Sequence, residues 1–282
     1  MQEMTPEVCE TTEVGTVARL TDARDQKQYW VTKLKDGNCW MTQNLDLDLS
    51  TSKALTPEDS DVSRSWTPKN DTLTDGTQTT SNYETEWSWN LGDYVLTTPN
   101  AGTDCGSSGI SNFGDCTNVG FQSVAGMTPM TDGNATDVIS DNTYNAHYHV
   151  GNHYTWNAAT AGTGGTITSA EAKDSICPKG WQLPTSNNTN SGSFGGLTAA
   201  YSISSNAAGS TALVSAPLYF VRSGSVISGS LGFAGSDGNY WSSTASSTTS
   251  DAYYLGFYSG VVYPSVILSR YGGQSVRCLA SW

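Results

Sequence analysis

The segments GNYWSST, residues 238–244, and SDAYYLGFYSGVVYPSVILSRYGGQSVRC, residues 250–278, decide how the chain is to be read. Tyr253, Leu255 and Phe257 alternate with Tyr254, Gly256 and Tyr258, the period of a half-buried strand. Ser259-Gly260 supplies a turn, and a second β-rich run follows from Val261 to Leu268. The expectation is a hairpin with Tyr253, Leu255 and Phe257 inward and an outer side of Tyr, Ser and Gly. Tyrosine offers large contact area at low entropic cost, and Ser and Gly adapt to a partner. The candidate contacts are Tyr254, Gly256, Tyr258, Val261, Tyr263 and Ser265, followed by Ile267, Tyr271 and Gln274.

Outward from the hairpin, composition sets the class. The chain has 282 residues, of which only 14% are charged, with nine Trp and fourteen Tyr available to build a core. Abundant Ser, Thr, Gly and Asn fit an all-β extracellular domain with long loops better than a helical cytosolic enzyme. The net charge of −13 lacks the basic footprint of a nucleic-acid binder and disfavours anionic membrane surfaces. No apolar run reaches membrane-span length. The start, MQEMTPEVC, is polar and carries no secretory signal, so export signal and anchor are expected outside this chain.

Six cysteines, Cys9, Cys39, Cys105, Cys116, Cys177 and Cys278, include no C-x-x-C pair. They are read as three disulfides, which places the protein in an oxidising compartment, secreted or at a cell surface. Fifteen pairings of six cysteines are open to sequence alone. The pairing adopted is Cys9–Cys39, Cys105–Cys116 and Cys177–Cys278.

The chain in order begins with Val17 to Leu20, a turn at Asp22–Asp25, and a strand over Lys27–Leu34. Lys35-Asp-Gly-Asn38 makes a tight turn into Cys39–Thr42. Asp46 and Asp48 alternate with Leu45, Leu47 and Leu49. A structural calcium there is one reading, and a solvated strand face over a Leu stripe is the preferred one. Residues 50–145 read as a loop-rich insertion carrying Trp66, Tyr83, Trp87, Trp89 and Tyr94. His147, His149 and His153 could suit a metal, but no carboxylate or Cys stands beside them, so they are read as core-type histidines. Thr168-Ser-Ala-Glu171 has the form of a capping box opening a short helix through Ser175. Leu213, Val214 and Leu218–Val221 suggest a strand. No cofactor is assigned.

Three ordered motifs carry a resemblance. They are Leu20-Thr-Asp-Ala-Arg-Asp25 with Asn38-Cys-Trp-Met-Thr-Gln-Asn-Leu45; Ile176-Cys-Pro-Lys-Gly-Trp-Gln-Leu-Pro184; and Asn239-Tyr-Trp-Ser-Ser-Thr244 with Ala252-Tyr-Tyr-Leu255 and Ser275-Val-Arg-Cys278. Together they resemble the Fibrobacter succinogenes major paralogous domain, a family of bacterial secreted and surface proteins. The resemblance implies an α+β, β-rich, C-type-lectin-like fold over residues 1–282, interrupted by the 50–145 insertion. It implies pairing of the N- and C-terminal strands and a Cys177–Cys278 bond. Relatives of this fold include the variable proteins of diversity-generating retroelements, whose C-terminal hairpin, here 238–278, binds ligand. Trp40, Trp181 and Trp241, one in each motif, are expected to share one core.

Departures from that pattern limit the chemistry. The Glu-Pro-Asn or Gln-Pro-Asp and Trp-Asn-Asp motifs of calcium-dependent sugar binders are missing, Trp156-Asn157-Ala158 being the nearest approach. Only Cys278 lies near the end, against the closely placed Cys pair of formylglycine-generating enzymes. No nucleophile elbow, P-loop, dinucleotide pattern or H-E-x-x-H occurs. The reading is therefore a bacterial binding protein or adhesin that recognises an unidentified protein or glycan, and not an enzyme. The alternatives are a structural envelope protein without a discrete site, or a polysaccharide hydrolase.

Overall fold

The computed structural model describes residues 1–47, 49, 88–89, 94–96, 121–123, 138–139, 144–145, 150–227 and 230–280. Helix α1 (Pro6–Thr11) opens with Pro at its start, and the Thr5 side chain accepts from the Val8 amide, a combination that satisfies a free helix N-terminus. It buries Cys9, which is bonded to Cys39 as expected. Strands β1 (Val17–Thr21), β2 (Gln28–Lys33) and β3 (Cys39–Met41) follow in antiparallel register, Arg19 opposite Trp30 and Thr32 opposite Trp40. The turn into β3 needs Gly37, whose φ is +92°. Asp36 holds that turn, accepting from the Asn38 side-chain amide and from Trp40 Nε1, both at 2.8 Å.

Leu45, Leu47 and Leu49 are all buried, as the alternation predicts. Asp46 is buried too, with its Oδ2 2.7 Å from Lys27 Nζ, so the solvated face expected at Asp46 is corrected to an ion pair. Five short strands lie in the expected insertion or beside it: β4 (Ser88–Trp89), β5 (Tyr94–Leu96), β6 (Phe121–Ser123), β7 (Val138–Ile139) and β8 (Tyr144–Asn145). Strand β5 pairs with β6 and β7 with β8, while β4 pairs with β9 (His153–Tyr154). Asp48, Trp66, Tyr83, Trp87, His147, His149 and the expected Cys105–Cys116 pair lie outside the described residues.

Two regions differ from expectation. Thr168–Ser175 forms no helix: Ser169 has a φ of +50°, and Glu171 bridges in antiparallel fashion to Thr244. The Glu171 carboxylate bonds to hydroxyls of a neighbouring strand and caps nothing. The strand expected around Leu213–Val221 is instead the end of a helix and a turn. Helices α2 (Trp156–Ala159), α3 (Gly192–Ala200) and α4 (Ala207–Val214) lie where the sequence suggested no helix. The caps were legible in principle, since Thr155 accepts from Ala158 N and Asn206 from Gly209 N. The helices were not, because they are short, rich in Gly, Ala, Ser and Thr, and carry no clear apolar stripe. Strands β10 (Ser225–Ile227) and β11 (Ser230–Gly232) then form a small hairpin.

The C-terminal segment is a three-stranded antiparallel sheet of β12 (Gly238–Ala245), β13 (Asp251–Tyr258) and β14 (Val261–Ser269). The final strand, β15 (Leu279–Ala280), pairs with β3, so the two ends of the chain share the sheet β1-β2-β3-β15. The described residues are thus α+β, with antiparallel strand pairs and few, short helices.

The core consists of two clusters. Trp156, Trp181, Trp241, Leu45, Ala252 and the Cys177–Cys278 bond belong to the first; Trp40, Phe194, Phe220, Tyr240, Leu255 and Phe257 belong to the second. The single core expected around Trp40, Trp181 and Trp241 is therefore divided, with Trp40 on the other side. Adjacent residues of β12 go to different clusters, Tyr240 to the second and Trp241 to the first, because successive side chains point to opposite faces. Gly238 is required here: a Cβ would lie 2.2 Å from the Phe257 ring. Burying an aromatic such as Trp241 removes roughly 150–250 Å² from water, about 4–6 kcal/mol before the cost of ordering.

Two fully buried arginines tie the loops to this sheet. Arg270 lies 4.3 Å from the Trp156 ring and donates to the carbonyls of Asp251, Gly165 and Ile167. Arg277 lies 4.4 Å from the Phe220 ring and donates to Asn44 Oδ1 at 2.8 Å, Leu218 O at 2.6 Å, and Tyr219 O.

Candidate functional site

Strand β13 sets the geometry of the hairpin. Its pairing with β14 runs Tyr258 with Val261 and Gly256 with Tyr263, then slips, so that Tyr254 faces Val266 and Tyr253 faces Ile267. One residue of β13, Leu255, thus stands opposite two of β14, Pro264 and Ser265. This is a β-bulge, and proline, which has no N–H to give to a ladder, is suited to it. Uninterrupted period-two alternation would put Tyr263 and Ile267 on one face. The bulge puts them on opposite faces.

Face by face, Tyr254, Gly256, Tyr258, Val261 and Tyr263 share one side. Tyr258 is 41% exposed and Tyr263 45%. They are diagonal neighbours across the strand pair. Val261 is half-buried beside them. Tyr254 is half-buried, its ring 6.1 Å from that of Trp241 in an edge arrangement. Gly256 is buried beneath it, with a would-be Cβ only 2.9 Å from the Tyr254 ring. The outward position expected for Gly256 is therefore corrected: it is the floor on which Tyr254 lies.

The remaining candidates are elsewhere. Ile267, 53% exposed, is on the opposite face with Tyr253, which is itself half-buried and not the inward residue expected. Ser265 is half-buried and donates to Asn187 O, while Ser186 Oγ donates to Pro264 O at 2.9 Å, so the bulge is tied to the loop before α3. Tyr271 is half-buried. Gln274 is fully buried: its backbone pairs with Tyr154 and its Oε1 accepts from Ser225 Oγ at 2.9 Å. Gln274 is thus a core bridge, not a surface contact.

Asp237 is the neighbour that alternation could not reveal. Ser236 Oγ donates to its Oδ1 at 2.8 Å. Desolvation first, then Tyr263 and the charge of Asp237, hold the Tyr258 phenol above its ordinary range; desolvation and then Asp237 do the same for Tyr254. The exposed aromatic pair therefore sits in an acidic field, in keeping with a chain of net charge −13.

Chemistry elsewhere is concentrated in buried titratable groups. Among the described residues, no cluster of three or more His, Cys, Asp or Glu could hold a metal ion. His153 is buried with Nε2 3.3 Å from Gly224 O, and burial pulls its pKa down from 6.5 to about 4. Asp25 is pushed up from 3.8 to about 6, by desolvation and then by the charge of Asp22, against weaker opposing effects of Lys27 and Arg24. The two act on stability with opposite sign. The folded state holds the Asp25 proton more tightly than the unfolded chain, so its contribution falls as pH rises from about 4 to about 6. The unfolded chain binds the His153 proton more tightly, so that contribution rises between about 4 and 6.5. These slopes largely cancel in the native protein. Urea unfolding at stepped pH is expected to show Asp25→Asn losing stability on acidification from pH 6.5 to 4, and His153→Gln gaining it. Parallel curves for the two variants would contradict the assignment.

Compared with known proteins, the chain matches no family model, no curated protein and no solved structure. Among the described residues, no helix is long and apolar enough to cross a membrane.

Proposed function

We propose that the chain is a secreted or cell-surface bacterial binding module of C-type-lectin-like type, related to the Fibrobacter succinogenes major paralogous domain. It recognises a protein or glycan on another surface through the face bearing Tyr258 and Tyr263, without catalysis. The observation that carries this reading is the exposure of two adjacent tyrosines on a sheet whose neighbouring positions are anchored in two cores. Rigid aromatic groups on an ordered platform lose little entropy on binding, and their faces stack equally on sugar rings and on side chains. The disulfides Cys9–Cys39 and Cys177–Cys278 support an oxidising location.

Glycan arrays and pull-downs from neighbouring cells, run with the native chain and with Tyr258→Ala/Tyr263→Ala, test the proposal. Each tyrosine is expected to act as a hot spot, and the double change to weaken capture at least about 30-fold, from a loss of about 2 kcal/mol or more. Capture undiminished by the double change would refute it.

A further inference from the structure

The charge around the tyrosine pair is one-sided. From Ser223 to Ser269 the sequence holds no Lys, Arg, His or Glu, and its only charged residues are Asp237 and Asp251. The two arginines that bracket this stretch are turned inward. Arg222 is buried and donates from Nη2 to Ser210 Oγ of α4 at 3.0 Å, while Arg270 is fully buried and donates to backbone carbonyls against the Trp156 ring. Asp251 accepts from the hydroxyls of Thr248 and Ser269, at 2.8 and 3.2 Å, at the end of β13 remote from Tyr258.

Asp237 stands at the tyrosine end. Gly238 pairs with Phe257, so the register carried one residue back places Asp237 beside Tyr258, on the flank of β13 away from β14. On the other flank Tyr258 pairs with Val261, and Tyr263 stands one diagonal step further. Across the sheet the order is therefore carboxylate, phenol, phenol. The backbone of Asp237 is fixed: its amide donates to Phe233 O at 2.9 Å, and its carbonyl accepts from Gly224 N at 2.8 Å. The half-buried carboxylate is oriented by Ser236 Oγ, which donates to Oδ1 at 2.8 Å. Its charge reaches the rings. After desolvation it holds up the Tyr254 phenol, and after desolvation and Tyr263 it holds up the Tyr258 phenol.

We propose that this face takes a cationic partner, an arginine-bearing segment of another protein. The proposal rests on the reading of Tyr258 and Tyr263 as binding residues and names the chemistry they recognise. A guanidinium lies flat against an aromatic ring while its fork reaches a carboxylate, and the face sets those two groups side by side. A neutral sugar stacks on the rings but covers the Asp237 carboxylate without compensating its charge. An anionic partner meets repulsion from Asp237 and from a chain with 26 Asp and Glu against 13 Lys and Arg. The same imbalance draws a basic partner in over long range.

Amide NMR titration of the full chain with blocked Gly-Arg-Gly-Arg-Gly peptide, and with the same peptide carrying citrulline for arginine, tests this. Citrulline keeps the planar shape and removes the charge. The arginine peptide is expected to shift Tyr258, Val261 and Tyr263 saturably, with a Kd on the order of 1 mM at low salt. The citrulline peptide should bind at least about fivefold more weakly. Raising salt to about 0.3 M should weaken the arginine peptide severalfold. Asp237→Asn, which keeps the shape of the side chain, should weaken it about tenfold, the scale of one lost charge-assisted hydrogen bond, with an unchanged urea midpoint. The citrulline comparison needs no variant and decides the matter even if Asp237→Asn unfolds. Equal binding of the two peptides, or no saturable shift with the arginine peptide, would overturn the proposal. So would capture of a neutral glycan that needs Tyr258 and Tyr263 but ignores salt and Asp237→Asn, a result that leaves the face a binding surface. Capture that survives Tyr258→Ala/Tyr263→Ala would remove the underlying reading as well.

Discussion

Replacing Arg277 with leucine is expected to lower the free energy of unfolding by about 3–5 kcal/mol, because it removes a buried charged donor from three acceptors packed around it. The guanidinium is fully buried, and its desolvation pulls the pKa down to about 10, so it is still charged at neutral pH. It is held by Asn44 Oδ1, Leu218 O and Tyr219 O, and by the faces of Phe220 and Tyr240. Leucine would fill part of the volume and leave these acceptors without their donors. Lysine would keep the charge but lose the planar fork that reaches them simultaneously, so Arg277→Lys should recover little. Since whole domains are stable by only about 5–15 kcal/mol, either change should be visible as a large fall in the urea midpoint. A midpoint within experimental error of the native protein would show that the loops are not held by this residue.

The second large effect concerns Cys177 and Cys278. They are 101 residues apart in sequence, and their bond ties the 176–184 segment to the residue immediately before β15. In the chain-entropy model a loop of that length is worth roughly 4–5 kcal/mol. Both sulfurs sit in the first core cluster beside Trp181 and Val276. Cys177→Ala/Cys278→Ala is therefore expected to lower the unfolding free energy by about 2–5 kcal/mol, the range for losing a native disulfide. The change at Cys9 and Cys39, closing only 30 residues, should cost less on the same model. Calorimetry of the two double variants checks the order, and the reverse order would count against the entropic account.

How much was legible follows from what encodes each element. Strands β2, β3, β13 and β14 were readable because β-branched and aromatic residues alternate between clear turns, Asp36-Gly37 and Ser259-Gly260. The pairings Cys9–Cys39 and Cys177–Cys278 were reachable as well. Helices α3 and α4 were not, because they are short, their Ala and Leu are interrupted by Gly, Ser and Thr, and tertiary packing on β14 supplies what so short a segment lacks. Glu171 looked like a capping residue, since the pattern Thr168-Ser-Ala-Glu171 is local while its hydroxyl partners are more than 70 residues away.

The candidate face was legible only in part. Tyr258 and Tyr263 are where alternation puts them, because the register is regular from the turn to Gly256. Beyond it the bulge at Pro264 and Ser265 turns Ile267 to the other face, and no periodic reading crosses a bulge correctly. Gln274 looked like an exposed polar residue but is consumed by Tyr154 and Ser225, contacts set by non-local strand pairing. Asp237 carried no signal of its own, being placed beside the tyrosines by the turn before β12.

The most direct measurement compares the two faces of this sheet. Tyr258→Ala/Tyr263→Ala should change the unfolding free energy little, within about 0.5 kcal/mol per exposed site, and Tyr253→Ala/Ile267→Ala somewhat more, because Tyr253 is half-buried. Affinity for whichever glycan or surface protein the native chain captures should fall at least about 30-fold in the first variant and less than about twofold in the second. Equal losses in both variants, or a loss confined to Tyr253→Ala/Ile267→Ala, would contradict recognition through the Tyr258–Tyr263 face.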